Sequence, residues 1–254
     1  MVPSSLGPGR GILEGTGPFR DPKGGPTVST ASHPPVETLP LFAGQRLDRV
    51  EFHERYEAMP PHIKAELIDG VVYMPSPIGD EHAIHTVPAI VWLSYYEENT
   101  PGVRCADNGS IALGPRTEVQ PDAALRILTE FGGRTRVEKI LFGAPELIVE
   151  VSHTTKRTDL GAKLAEYERA GVLEYVVRTI EPDGVLWHVL REGKLVAVPP
   201  DADGIHRSAA FAGLWLEPAA LLARDLRRVR AVVDLGVATD EHAAFGAELA
   251  ARRA

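Results

Sequence analysis

Two carboxylates in this chain stand where carboxylates are costly. Glu150 occupies the middle of "ELIVEVS", Glu146 to Ser152, a run of Leu, Ile and Val that reads as a strand buried on both faces. An unpaired ionised carboxylate there costs several kcal/mol, so a partner is implied. Asp122 opens a second apolar run, "QPDAALRIL". Neighbouring strands lie about 4.8 Å apart, so in adjacent positions the two carboxylates reach one divalent cation. A hard ion such as Mg2+ (or Mn2+) takes this oxygen-rich coordination, and it would be the partner that Glu150 needs.

A third residue bears on the same chemistry. In the helix expected from Asp159 to Ala170, at about 100° per residue, Lys163 falls about 60° from Leu160, on or beside the apolar face with Leu164 and Tyr167. There it could offset charge developing on a phosphate or orient an attacking water. The alternative is a stem lying along the helix margin with its ammonium in solvent. Asp122 alone reads more readily as a strand-end or turn aspartate than as a ligand. Tyr167 and Tyr175 read as core aromatics with a hydrogen-bonded tip. His53, His62, His85, His153, His188 and His206 show no ligand spacing.

Elements that could position these groups follow from pattern. "LDRVEFHERYEAMPP" predicts a short helix stopped by Pro60-Pro61, and "AELIDGVVYM" a hairpin turning at Asp69-Gly70. Ile84, Val87, Val91 and Tyr95 predict a long helix over residues 81–98, kinked at Pro88. "VRCADNGSIAL" predicts a second hairpin at Asn108-Gly109, and Pro121 sets the start of the following strand at an edge or bulge. After strand 147–151 comes the polar loop "SHTTKRT", suited to phosphate contact or simply to solvation. Thr158 is the expected N-cap of the next helix and Gly171 its C-terminal glycine. "EYVVRTI" and the hairpin "GVLWHVL-REGK-LVAV" extend the sheet, and the chain from about Pro218 is helical.

Composition bounds the alternatives. With 44% hydrophobic and 24% charged residues the chain is globular, and a formal charge of -8 argues against non-specific coating of nucleic acid. Cys105 stands alone, which excludes an internal disulfide or a cysteine-rich zinc cluster. No apolar run nears the roughly 18 residues of a membrane span, and no signal segment opens the chain, so a cytoplasmic protein is expected. Residues 1–45, dense in Pro and Gly, read as a disordered tail.

Taken together, "ELIDG" (66 to 70), "PSP...H" (75 to 82), "QPD" (120 to 122), "PELIVEV" (145 to 151) and "DLGAKLAEYERAGVLEYVV" (159 to 177) resemble the Uma2 family of restriction-endonuclease-like proteins, within the PD-(D/E)XK nuclease superfamily. The match runs from about Leu47 to Leu222, with every motif in order. The resemblance implies an α/β fold, a restriction-endonuclease-like core of helices on a mixed sheet, over residues 46–222, with a helical extension over 223–254. It also implies an Mg2+-dependent endonuclease acting on DNA. Asp122, Glu150 and Lys163 would be catalytic, Asp122, Glu150 and Glu66 would hold the metal, and His82 would be accessory. Ser152 stands where the superfamily has lysine, and Lys163 on the next helix takes that place in the Uma2 pattern. Arg178 and Thr179 stand where the family strand usually ends in aspartate. The rival reading is a non-catalytic nucleic-acid-binding or protein-interaction module that keeps the fold. "RDLRRVR", Arg224 to Arg230, could support a homodimer, follow a DNA backbone, or be a solvated helix face.

Overall fold

The computed structural model describes residues 39–75, 79–153 and 155–253. The expected tail as far as residue 38 lies outside the described residues, as do Ser76 and Pro77 of "PSP" and Thr154 of the polar loop. Leu41, from the end of the expected tail, is buried beside Phe52.

Asp48 caps helix α1 (Arg49–Glu57), its carboxylate accepting the Glu51 N–H at 3.0 Å. Strands β1 (Glu66–Ile68) and β2 (Val71–Tyr73) form the expected hairpin, with Ile68 opposite Val71. Asp69 (φ 47°) and Gly70 (φ 74°) both take the left-handed conformation that matches such a turn to the strand twist. Helix α2 (Asp80–Asn99) continues through a buried Pro88.

The segment expected as a second hairpin departs from expectation. Strand β3 (Val103–Ala106) does not pair with β4 (Ile111–Gly114). The Asn108-Gly109 turn instead carries the chain between sheets: β4 pairs with β5 (Thr117–Val119), and β3 with β6 (Ala123–Ile127). Turn chemistry marks where a strand stops, while cross-strand burial selects its partner.

Two six-stranded sheets result. One has the order β2-β1-β5-β4-β8-β7, with β7 (Arg136–Val137) and β8 (Leu141–Phe142) at its far edge. The other includes β9 (Leu147–Ser152), β10 (Glu174–Thr179), β11 (Gly184–Arg191) and β12 (Lys194–Val198), in the order β12-β11-β10-β9-β6-β3. Within it β9 and β10 run parallel, so a crossover must join them.

That crossover is α3 (Lys156–Thr158), a π-helical turn at Asp159–Lys163, and α4 (Leu164–Ala170). Thr158 is not the expected N-cap: it is itself helical (φ -75°, ψ -45°) and its side chain caps nothing. Gly171 ends α4 in the left-handed conformation, as expected. The chain closes with the two-stranded pair β13 (His206–Arg207) and β14 (Trp215–Leu216), then α5 (Pro218–Leu222), α6 (Leu226–Val237) and α7 (Asp240–Arg252).

Strand alternation divides the core. Leu147, Val149, Val176, Ala123 and Leu125 face Trp92 and Tyr96 of α2 and Val229 and Val233 of α6. The "RDLRRVR" helix therefore uses its apolar side within the chain. Ala124, Ile148, Tyr175 and Val177 face the other way, onto Tyr167 of α4 and onto Ile68 and Val119 of the first sheet. Glu150, two residues beyond Ile148, belongs to this second face.

Candidate active site

The antiparallel register pairs Ala123 with Val149, and continued by one step it sets Asp122 opposite Glu150. Asp122 lies just ahead of β6, and its Oδ2 accepts the Val151 N–H at 2.7 Å. Glu66 arrives from β1 on the same face as Ile68, its Oε1 accepting the Gln120 N–H at 2.7 Å. Between the sheets stands Lys163, whose Nζ lies 2.9 Å from Glu150 Oε1 and 3.0 Å from Glu66 Oε1. Tyr167, one helical turn on, donates its hydroxyl to the same Glu150 oxygen at 2.8 Å. His82, near the start of α2, places Nε2 3.3 Å from Asp122 Oδ2.

Glu66, His82, Asp122, Glu150 and Lys163 all line one cavity of about 450 Å³. Lys163 is 5% exposed, which rules out the solvent-directed alternative. The π-helical turn alters the angle per residue, yet Lys163 stays on the face it shares with Tyr167, as the count from Leu160 places it. Arg178 projects from the opposite face of the sheet, towards α2. There it meets Asp183 at 2.6 Å and His85 Nδ1 at 3.1 Å, away from Glu150.

Sequence reasoning missed Asp159. It is buried in the π-helical turn, lines the cavity, and accepts the Thr155 hydroxyl at 2.6 Å. Its signal was the four-residue spacing from Lys163, but an aspartate near a helix start has an ordinary explanation in the helix dipole.

Electrostatics follow from four carboxylates around one lysine. Burial pushes the Glu150 carboxyl well above the usual range; Lys163 opposes this, and Asp122, Asp159 and Glu66 add to it. Burial likewise raises Asp159 against the pull of Lys163. For Lys163, burial works against the ammonium, and Glu150, Glu66 and Asp159 outweigh it, holding its pKa above the ordinary lysine value. The hydrogen bond with Asp122 raises His82 above the usual imidazole value, burial opposing.

Among the described residues no group of three or more His, Cys, Asp or Glu side chains is already arranged to hold a metal ion. The hydrogen bonds account for this: Glu66 and Glu150 each turn one oxygen to Lys163, and Asp122 turns one to Val151 and His82. The second oxygen of each of these carboxylates meets no donor among the described residues. Carboxylate oxygens are the donor chemistry that a hard divalent ion takes, so these residues suit one in donor type, though not in their present arrangement.

A mixed sheet thus carries a carboxylate cluster beside its parallel crossover, and the nuclease-like class comes from the family match. The Uma2 family, described as "Putative restriction endonuclease", matches residues 50–242, and the chain belongs to it. A solved structure from Anabaena variabilis ATCC 29413, described as "a putative nuclease belonging to DUF820", is similar with a TM-score of 0.49 and 12% identity. It covers 71% of this chain and 97% of its own. No curated protein matches. No described helix is long and apolar enough to cross a membrane.

Proposed function

We propose that this protein is a metal-dependent endonuclease that hydrolyses phosphodiester bonds in DNA. One observation carries the reading: Glu66, Asp122, Glu150 and Asp159 converge on a cavity whose buried lysine is shared between two of them. Lys163 and His82 offset only part of the charge of four carboxylates, which leaves room for a divalent cation to complete the balance. Asp122 and Glu150, with Glu66, would hold Mg2+ or Mn2+ through the oxygens that meet no described donor. When bound, such an ion lowers the pKa of water and shields phosphate charge.

The chain's own residues supply the order. Lys163 fixes Glu150 and Glu66 at their facing oxygens, bringing carboxylates from two sheets into one arrangement. The Val151 N–H and His82 aim Asp122, and the Tyr167 hydroxyl locks Glu150. Membership of the Uma2 family supports nucleic acid as the substrate class.

The test is cleavage of supercoiled plasmid by purified protein in Mg2+ or Mn2+. Nicking should depend on the metal and fall at least about 100-fold in Asp122→Asn, the scale on which losing one transition-state contact is felt. Equal cleavage by wild type and variant would identify a contaminant. Metal binding without any cleavage would favour the non-catalytic module.

A further inference from the structure

The lining of the same cavity includes a second lysine in a different electrostatic setting. Lys64 lies two residues ahead of Glu66, just before β1, and both line the cavity. Lys163 is held by two carboxylates, whereas the Lys64 Nζ donates to the Asn108 Oδ1 at 2.6 Å and pairs with no carboxylate among the described residues. An amide oxygen orients an ammonium without cancelling its charge. Two of the three ammonium donors remain for another acceptor.

Asn108 is built for this task. It holds φ 49° at the turn from β3 to β4, a conformation that asparagine adopts more readily than most residues. It also lines an adjoining cavity of about 290 Å³, which shares His82 and Asp122 with the first and continues along α2 past Ala83, Val87 and Ile90. An anionic strand approaching four carboxylates needs compensating positive charge at the entrance, and the groove beyond Asn108 gives such a strand room to continue.

We propose that Lys64, oriented by Asn108, binds a backbone phosphate of the nucleic-acid strand next to the phosphate being cleaved. The identity of the ligand rests on the nuclease reading; the binding itself is measured without turnover.

The experiment is fluorescence anisotropy of a short labelled single-stranded oligodeoxynucleotide and its duplex with the full chain in Ca2+, across a salt series. Lys64→Ala should weaken binding about three- to tenfold at low salt and reduce the salt slope by about one phosphate contact. Lys64→Arg should restore the slope. Asn108→Gly, which suits the left-handed backbone, should weaken binding while keeping the slope, because the charge remains and only its aim is lost. A mononucleotide or inorganic phosphate should compete far more weakly than the oligonucleotide. Competition at equal strength would overturn the strand-phosphate assignment, and so would wild-type affinity and slope in Lys64→Ala. Where wild type cleaves plasmid but Lys64→Ala changes neither slope nor KM, this proposal falls alone. Where Lys64→Ala loses the contact but no protein cleaves, the nuclease reading falls and the phosphate site stands. An absence of any binding by wild type sinks both.

Discussion

Lys163 is the residue on which the centre of the molecule depends. Replacing it with methionine preserves most of its volume and leaves Glu150, Glu66 and Asp159 facing one another without a cation. Such a change should cost about 3–5 kcal/mol, measured from urea unfolding midpoints of the metal-free protein. Glu150→Gln leaves the Lys163–Glu66 pair in place and removes a carboxylate that burial already disfavours, so it should cost no more than about 1 kcal/mol. Equal losses in the two variants would contradict the charge imbalance assigned to the cluster. Glu150 was legible in the sequence because a lone charge in an apolar strand demands a partner. Its protein partners were less so: Lys163 could be placed on or beside the apolar face, but the helix angle alone does not choose between burial and solvent. The link to Glu66 joins strands from separate sheets.

At the scale of elements, two turn signals and the pairing of the Asp122 and Glu150 strands hold, while the Thr158 cap and the hairpin at Asn108-Gly109 do not. The Asp69-Gly70 hairpin and the Gly171 stop are set by backbone conformation, and both stand as expected. Asn108-Gly109 carries an equally strong turn signal, yet the strands flanking it separate, because β3 and β4 find their burial against β6 and β5. Close packing near the C-terminus gives a prediction of the same kind. A Cβ on Gly236 of α6 would stand 2.1 Å from the Gly213 carbonyl oxygen, so Gly236→Ala should cost about 1–3 kcal/mol through a forced shift of α6. A thermal melt checks this, and an unchanged Tm would show that α6 is free to move. No pattern in the sequence announces that contact, since the two glycines belong to different segments.

For the molecule as a whole, the cluster should set how stability depends on pH. Glu150 and Asp159 are raised above their ordinary values of 4.5 and 3.8, and His82 above 6.5, so in the window above those values the native state binds more protons than the unfolded chain. These groups therefore make the stability of metal-free protein fall as pH rises above their ordinary values. Glu150→Gln should flatten this slope. Carboxylates lowered by surface partners, such as Glu57 and Asp203, act in the opposite sense below that window, and His85, His188, His206 and His242, lowered by burial from 6.5, oppose it up to that pH, so the cluster's share is the difference between wild type and variant. A slope unchanged in the variant would count against the assignment. The central claim, that this excess of negative charge is a divalent-cation site, is tested most directly by calorimetric titration of Mn2+ into metal-free protein near pH 6.5, in buffers of different ionisation enthalpy. The account predicts saturable binding with proton release, weakened at least about tenfold in Glu150→Gln. No binding by the wild type, or equal binding by the two proteins, would contradict it.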